Sequence, residues 1–328
     1  MGLLALTGGQ QIGRLSFAEP GSQAPRTQAQ FGREELLTRH PTTELFDALV
    51  AIYFQSGISG VQPKVLVPDA DKAGRLGERT TVVHADLIVK ASGLEFPHLT
   101  ENEFLCMSAA RRAGLNVPDF ALSADGGLFV VERFDLVNAA PLGFEDMTVL
   151  MNRSSREKYQ SSYETIAKAI RLYCADADPI TQLQQFFDYV VLTVMVRNGD
   201  AHLKNFGLLY EHPGNPATVR LAPVYDVVTT SIYDLSGGTA GITKYDRTLA
   251  LNLAKTKRYP SRPTLIEFGR GVCQVQRPEQ VFERIGSAMS ETLELQRDRA
   301  HPELLGPLQR AWDEGRLSLE PDRVFSGS

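Results

Sequence analysis

Cysteine is scarce in this chain, with three in 328 residues. Cys106, Cys174 and Cys273 stand apart, with no Cys-x-x-Cys pair and no histidines at zinc-site spacing, so neither a disulfide framework nor a structural zinc site is expected. They read as buried or incidental thiols of a reducing cytoplasm. Long apolar runs are missing too: nothing approaches the roughly 18 residues that span a bilayer, which argues against a membrane enzyme. Positive charge is not in excess. The 34 Lys and Arg against 39 Asp and Glu leave a net charge of −5, so direct binding to a nucleic-acid backbone is not expected. The N-terminus has no charged start, apolar core and cleavage site of a signal peptide, and a cytoplasmic location is expected. Internal repeats, low-complexity tracts and long linkers are likewise absent.

What is present fits a chain of two packed lobes sharing a cleft, since 328 residues exceed the size at which a single core usually keeps growing. The opening Thr7–Arg14, TGGQQIGR, resembles an expression leader but reads as native, as a hairpin of Leu3–Leu6 with Ile12–Phe17. A Pro/Gly/Gln/Ser-rich loop over Ala18–Phe31 precedes a helix near Glu44–Phe54. Lys64–Pro68 and Thr80–Ala91 read as an antiparallel pair of strands, Leu99–Ala113 as a helix ended by Gly114, and Leu128–Phe134 as a strand. Beyond that the pattern is helical: Tyr163–Tyr173, Ile180–Arg197, Pro278–Ala300 and Glu303–Glu314. A small mixed α/β lobe over 1–134 followed by a mainly helical lobe over 135–328 is the α+β architecture expected.

Chemistry concentrates in NGDAHLKNF, Asn198–Phe206. Asp200 and Asn205 are five residues apart, and Asp226 follows after two apolar runs, Phe206–Tyr210 and Val219–Leu221. Phosphoryl transfer needs a carboxylate to orient or deprotonate a hydroxyl and oxygen ligands to hold magnesium on the phosphates. An Asp, an Asn five later and an Asp after a hairpin supply them in the order protein kinases use. Asp200 is then the catalytic base, with Asn205 and Asp226 the metal ligands, and His202 and Lys204 face the nucleotide. A polar turn capping the preceding helix is the competing reading of Asn198-Gly199-Asp200.

Upstream, Lys90 ends the apolar strand Leu87-Ile88-Val89, where a charge calls for a partner or is simply a solvated strand end. Glu103, early in the next helix, is the expected partner and Glu101 the alternative, as in the lysine–glutamate pair that positions ATP phosphates. Glu132, Arg133 and Phe134 pass from a strand into the second lobe, either as a connector offering backbone groups to adenine or as an ordinary edge strand. Ser56–Lys64, SGISGVQPK, is either a glycine turn or a phosphate-approaching loop, and matches neither a Walker A nor the usual kinase glycine motif. Phosphate on Ser59, or secondarily Ser56, would set about two negative charges against those of ATP and displace the loop.

Taken in order, GISGVQPK, LIVK, ENEF, AGLNVPDF, VVERFD, EKYQSSYETIAKAI, NGDAHLKNFGLLY, LAPVYDVV and LALNLAKTKRYPSR resemble the HipA-like serine/threonine kinases, the toxins of bacterial HipBA and HipBST toxin–antitoxin systems. The resemblance implies a bilobal protein-kinase-like fold with an ATP cleft between the lobes. It implies that ATP and Mg²⁺ are held by Ser59, Gly60, Val61, Gln62, Pro63, Lys64, Lys90, Glu132, Arg133, Phe134, His202, Leu203, Lys204, Asn205, Tyr225 and Asp226. Asp200 is the implied proton acceptor, an aminoacyl-tRNA synthetase the implied target, and a HipB-like DNA-binding antitoxin and a small HipS-like protein the implied partners. The chain is most like the short HipT kinases, which lack the extra N-terminal subdomain of long HipA proteins. Gly57 stands where the family loop usually has serine, which makes Ser59 the better autophosphorylation candidate. A partner-binding autoregulatory module with weak kinase activity and a small-molecule kinase are the alternatives, the latter because kinase-like folds serve many substrates.

Overall fold

The computed structural model describes residues 12–15, 31–38, 62, 64–70, 85–93, 95–138, 140–234 and 247–321. The chain divides into two compact units that interleave in sequence. One comprises Met1–Phe104, Pro118–Phe144 and Leu209–Gly214, the other Leu105–Val117, Glu145–Leu208 and Asn215–Ser328.

The first unit is built on an antiparallel sheet of β1 (Lys64–Val67), β2 (Leu87–Ala91), β3 (Phe120–Leu122) and β4 (Leu128–Glu132), in the order β1-β2-β4-β3. Alternation along these strands decides which residues share a face. Val65, Val67, Leu87, Val89, Leu128 and Val130 form a core with Phe31 and with Leu36 of the short helix α1 (Arg33–Thr38). Lys90 points to the opposite face, where the register sets it across from Lys64 on one side and Phe129 on the other. The helix α2 (Leu99–Arg112) starts in this unit. Its first turn is tied to the sheet, because Thr100 N donates to Ser92 Oγ at 3.1 Å and Thr100 Oγ1 donates to Gly126 O at 2.6 Å. Gly126, at φ +75°, takes a conformation that disfavours a side chain, and a Cβ there would press on the Glu101 carboxylate at 2.8 Å.

The expected N-terminal hairpin fails where it can be judged. Residues 12–14 form a bend, Gly13 takes φ +89°, outside the extended region, and its N–H donates to Asp135 Oδ2 at 2.6 Å rather than to a strand. Leu3–Leu6 and the helix expected near Glu44–Phe54 lie outside the described residues.

After the two-stranded pair β5 (Leu136–Val137) and β6 (Ala140–Pro141), three short strands, β7 (Gly143–Asp146), β8 (Gly207–Tyr210) and β9 (Arg220–Leu221), make a third sheet in that order. The helices of the second unit are α3 (Met147–Leu150), α4 (Tyr163–Tyr173), α5 (Pro179–Met195), α6 (Arg262–Glu267), α7 (Pro278–Gln296) and α8 (Pro302–Leu317). Their starts follow from capping: Ser162 Oγ accepts from Thr165 N before α4, and Asp178 accepts from Thr181 N before α5, with proline at the first helical position of α5, α7 and α8. The helix α5 is apolar around most of its circumference and is correspondingly central. Phe186, Phe187 and Tyr189 on it meet Tyr163, Phe206, Phe268 and Phe282 in a buried aromatic cluster. The C-terminal end of α5 leads straight into the segment singled out by the sequence.

Candidate active site

In the first unit, Lys90 Nζ lies 2.5 Å from Glu103 Oε1, with side-chain exposures of 7% and 1%. Glu101, the alternative partner, instead meets His98 Nδ1 at 3.0 Å. A buried ion pair contributes little net stability over an apolar pair of similar volume, because desolvation offsets most of the attraction. Its presence therefore points to a task rather than to packing. Lys64 stands directly opposite Lys90 in the β1–β2 register, and like charges across a strand pair repel. An anion near this face would relieve that repulsion.

The connector residues have partners elsewhere in the first unit. Glu132 accepts from Arg33 Nη1 at 3.0 Å, Arg133 forks onto Asp135 at 3.0 and 2.6 Å, and the Phe134 ring lies 5.6 Å from that of Phe144. The Glu132 and Arg133 amides donate to Asp119 O and Asp86 O, both at 2.8 Å. A ligand could use neither amide without breaking a protein hydrogen bond. Ser56, Gly57, Ser59, Gly60, Val61 and Pro63 lie outside the described residues, whereas Lys64 opens β1.

In the second unit, α5 ends where Arg197 adopts φ +57°, the left-handed conformation that commonly terminates helices. The Arg197 side chain turns inward, stacks 4.5 Å from the Tyr259 ring centroid and donates to Glu314 O at 2.9 Å. Burial lowers its pKa from the ordinary guanidinium value. Asn198 Oδ1 then accepts from Asp200 N at 3.0 Å, a local turn of the kind asparagine favours. Thr230 fastens the loop from the other side, since its Oγ1 accepts from Gly199 N at 2.7 Å and donates to Arg197 O at 3.2 Å. The segment is thus a helix-terminating turn, and it also presents Asp200 with 51% of its side chain exposed.

A 3-10 turn at Leu203–Asn205 carries the rest. His202 N donates to Asn205 Oδ1 at 3.0 Å, and Asn205 Nδ2 donates to Asp226 Oδ2 at 3.4 Å. His202 itself is buried, its ring edge-on to Tyr159 at 5.1 Å and its Nε2 3.9 Å from Asp200 Oδ1. Burial lowers its pKa, Lys158 adds to the effect, and the carboxylates of Asp200 and Asp226 oppose it. Lys204 accepts at its carbonyl from Tyr225 Oη at 2.7 Å, and Tyr225 O accepts from Tyr189 Oη at 2.6 Å. Burial pushes the Tyr225 hydroxyl well above its usual pKa, so it stays a neutral donor. Asp226 follows at φ +60°, a conformation that aspartate tolerates better than most residues.

The donor set suits magnesium. Asn205 turns its Nδ2 to Asp226 and its Oδ1 to His202 N, so magnesium would take the remaining lone pair of that amide oxygen and an Asp226 carboxylate oxygen, both hard ligands, with positions left for phosphate oxygens and water. Sequence reasoning missed Tyr159, whose hydroxyl donates to Asp200 Oδ1 at 2.6 Å. It falls inside a quoted motif, but a lone tyrosine 41 residues from its partner carries no spacing signal. Thr230 and the inward-turned Arg197 were hidden for the same reason.

Comparison with known proteins shows the family. Residues 56–295 match the model of the HipA-like C-terminal domain. A putative kinase of Haemophilus influenzae is 30% identical over 224 residues, covering 62% of this chain and 58% of its own length. The serine/threonine-protein kinase toxin HipA of Shewanella oneidensis is 26% identical over 258 residues, covering 71% and 57%. The chain therefore spans somewhat over half the length of these curated relatives. A solved complex of Shewanella oneidensis MR-1 HipA, HipB and operator DNA superposes with a TM-score of 0.71 over 97% of this chain and 78% of that one, at 19% identity. That likeness is one of fold, and the mixed α/β and helical parts described above make up a protein-kinase-like fold. With a family match that runs from the residue before Gly57 to the end of α7, the chain belongs to the HipA-like C-terminal domain family.

Proposed function

We propose that this chain is an ATP-dependent serine/threonine protein kinase and the toxin of a bacterial toxin–antitoxin system. The observation that carries the reading is that Asp200 and Asn205 share one hydrogen-bonded loop and turn, with Asp226 joined to it through Asn205. In this reading Asp200 accepts the proton of the acceptor hydroxyl, Asn205 and Asp226 hold Mg²⁺, and Lys90, kept in place by Glu103, meets the ATP phosphates. When bound, Mg²⁺ neutralises charge on the phosphates and orients them. The remaining nucleotide contacts are assigned to Ser59–Lys64, Glu132–Phe134, His202–Lys204 and Tyr225, and the functional lobes to residues 1–134 and 135–328.

The finer assignments rest on the family resemblance. They are an aminoacyl-tRNA synthetase as target, a HipS-like small protein as partner, a cytoplasmic location, and autophosphorylation at Ser59 before Ser56. A HipB-like antitoxin is proposed from the composition of the Shewanella oneidensis complex. Transfer of labelled γ-phosphate from ATP to protein, compared between the wild type and Asp200→Asn, tests the reading. Loss of a general base predicts a fall of about hundredfold or more. Equal transfer, or equal growth arrest on expression of the two proteins, would defeat it.

A further inference from the structure

The Asp200 carboxylate is half exposed on a loop, so solvent alone would leave its orientation free. Its Oδ1 is nevertheless fixed. Tyr159 Oη donates to it at 2.6 Å, and His202 Nε2 stands 3.9 Å from the same oxygen. Oδ2 accepts no hydrogen bond among the described residues. The two oxygens of one carboxylate are thereby made unequal, one held by the protein and one left for a hydroxyl.

Tyr159 is itself held at three points. Leu203 N donates to Lys158 O at 3.1 Å, which pins the tyrosine's segment to the catalytic loop. Lys257 Nζ donates to Tyr159 O at 3.2 Å, and the ring meets His202 edge-on. With 38% of the residue exposed, core packing does not account for this bracing. What the bracing does fix is the position of one phenol oxygen.

The geometry points to Tyr159 as the positioning residue for Asp200, holding Oδ1 so that Oδ2 receives the proton of the acceptor hydroxyl. This deepens the kinase reading and rests on it. In the step served, the acceptor oxygen bonds to the γ-phosphorus as the bond from that phosphorus to the ADP oxygen breaks. The acceptor's proton passes to Oδ2, and Tyr159 keeps its own proton throughout. A hydrogen bond to a charged group orients it far more firmly than solvent does.

The test uses the full chain with ATP, Mg²⁺ and casein as acceptor, scoring transfer to casein and to the chain itself. It compares wild type, Tyr159→Phe, Asp200→Asn and the double variant. Tyr159→Phe keeps the ring against His202 and removes only the hydroxyl, so kcat should fall between about tenfold and about hundredfold, the range for a hydrogen bond to a charged group. KM for ATP and the melting temperature should stay at wild-type values, and adding Tyr159→Phe to Asp200→Asn should lower the residual rate no further. Wild-type kcat in Tyr159→Phe, with Asp200→Asn impaired, overturns the positioning role and leaves the kinase intact. A joint loss of kcat, ATP affinity and thermal stability overturns it in favour of a structural role. Identical rates in wild type and Asp200→Asn would remove the kinase reading, and the role of Tyr159 with it.

Discussion

Asp226→Asn is expected to lower magnesium-dependent γ-phosphate transfer about thousandfold without disturbing the fold. Asp226 sits at φ +60°, and asparagine is the side chain best suited to replace aspartate there, because both accept the left-handed conformation. The contact with Asn205 Nδ2 survives the change, since an amide oxygen accepts as a carboxylate oxygen does. What disappears is one negative charge at the carboxylate assigned to the metal. Metal assistance is worth several kcal/mol of barrier, and about 4 kcal/mol corresponds to roughly a thousandfold in rate. Raising Mg²⁺ should recover part of the loss, because the remaining ligands still bind, only more weakly. Rates measured over a magnesium titration, with a melting curve beside them, separate the effects. A variant with wild-type magnesium dependence would show that Asp226 is not a metal ligand.

Much of the fold was legible in the sequence, for a physical reason. Side-chain periodicity reports burial, so α4 came out at Tyr163–Tyr173 with its bounds correct, and α5, α7 and α8 within a few residues at each end. The lysine-bearing strand was readable because a charge after three apolar residues demands an explanation, and Lys90 does meet Glu103. Short elements without periodicity were not readable. β3 has three residues and β5 and β6 two each, too few for alternation to be seen. The N-terminal hairpin was misread because alternating apolar residues near glycines look extended in sequence, whereas Gly13 spends its N–H on Asp135, 122 residues away. Tyr159, Thr230 and Arg197 share that character. Each acts through a partner distant in the chain, so their roles emerge only once the fold has brought loop, turn and helix together.

Gly315→Ala, although remote in sequence from all of these, is expected to unfold the second unit more readily than any substitution in Asn198–Phe206. A Cβ on Gly315 would overlap the carbonyl oxygen of Met195 and stand 2.9 Å from its Cα. The obstacle is backbone at the end of α5, so no side-chain rotation can make room. Helix α8 would have to move off α5, and two anchors would move with it. Trp312, fully buried, donates through Nε1 to Thr229 Oγ1 at 2.9 Å, three residues beyond Asp226. Glu314 O accepts from Arg197 at 2.9 Å, three residues before Asp200. Losses above about 4 kcal/mol belong to such backbone-level collisions, and for a chain of this size that lowers Tm by roughly 6 °C or more. Gly306→Ala on the same helix is the control. Its Cβ would meet only Arg310 Nη1 at 3.5 Å, so relief of the glycine penalty inside a helix should leave Tm unchanged or raise stability by about 0.5 to 1 kcal/mol. The melting curve of Gly315→Ala should therefore fall while that of Gly306→Ala stays in place or rises. Equal, small shifts would mean that α8 does not press on the end of α5, and that the loop bearing Asp200 is held by its own turn and Thr230 alone.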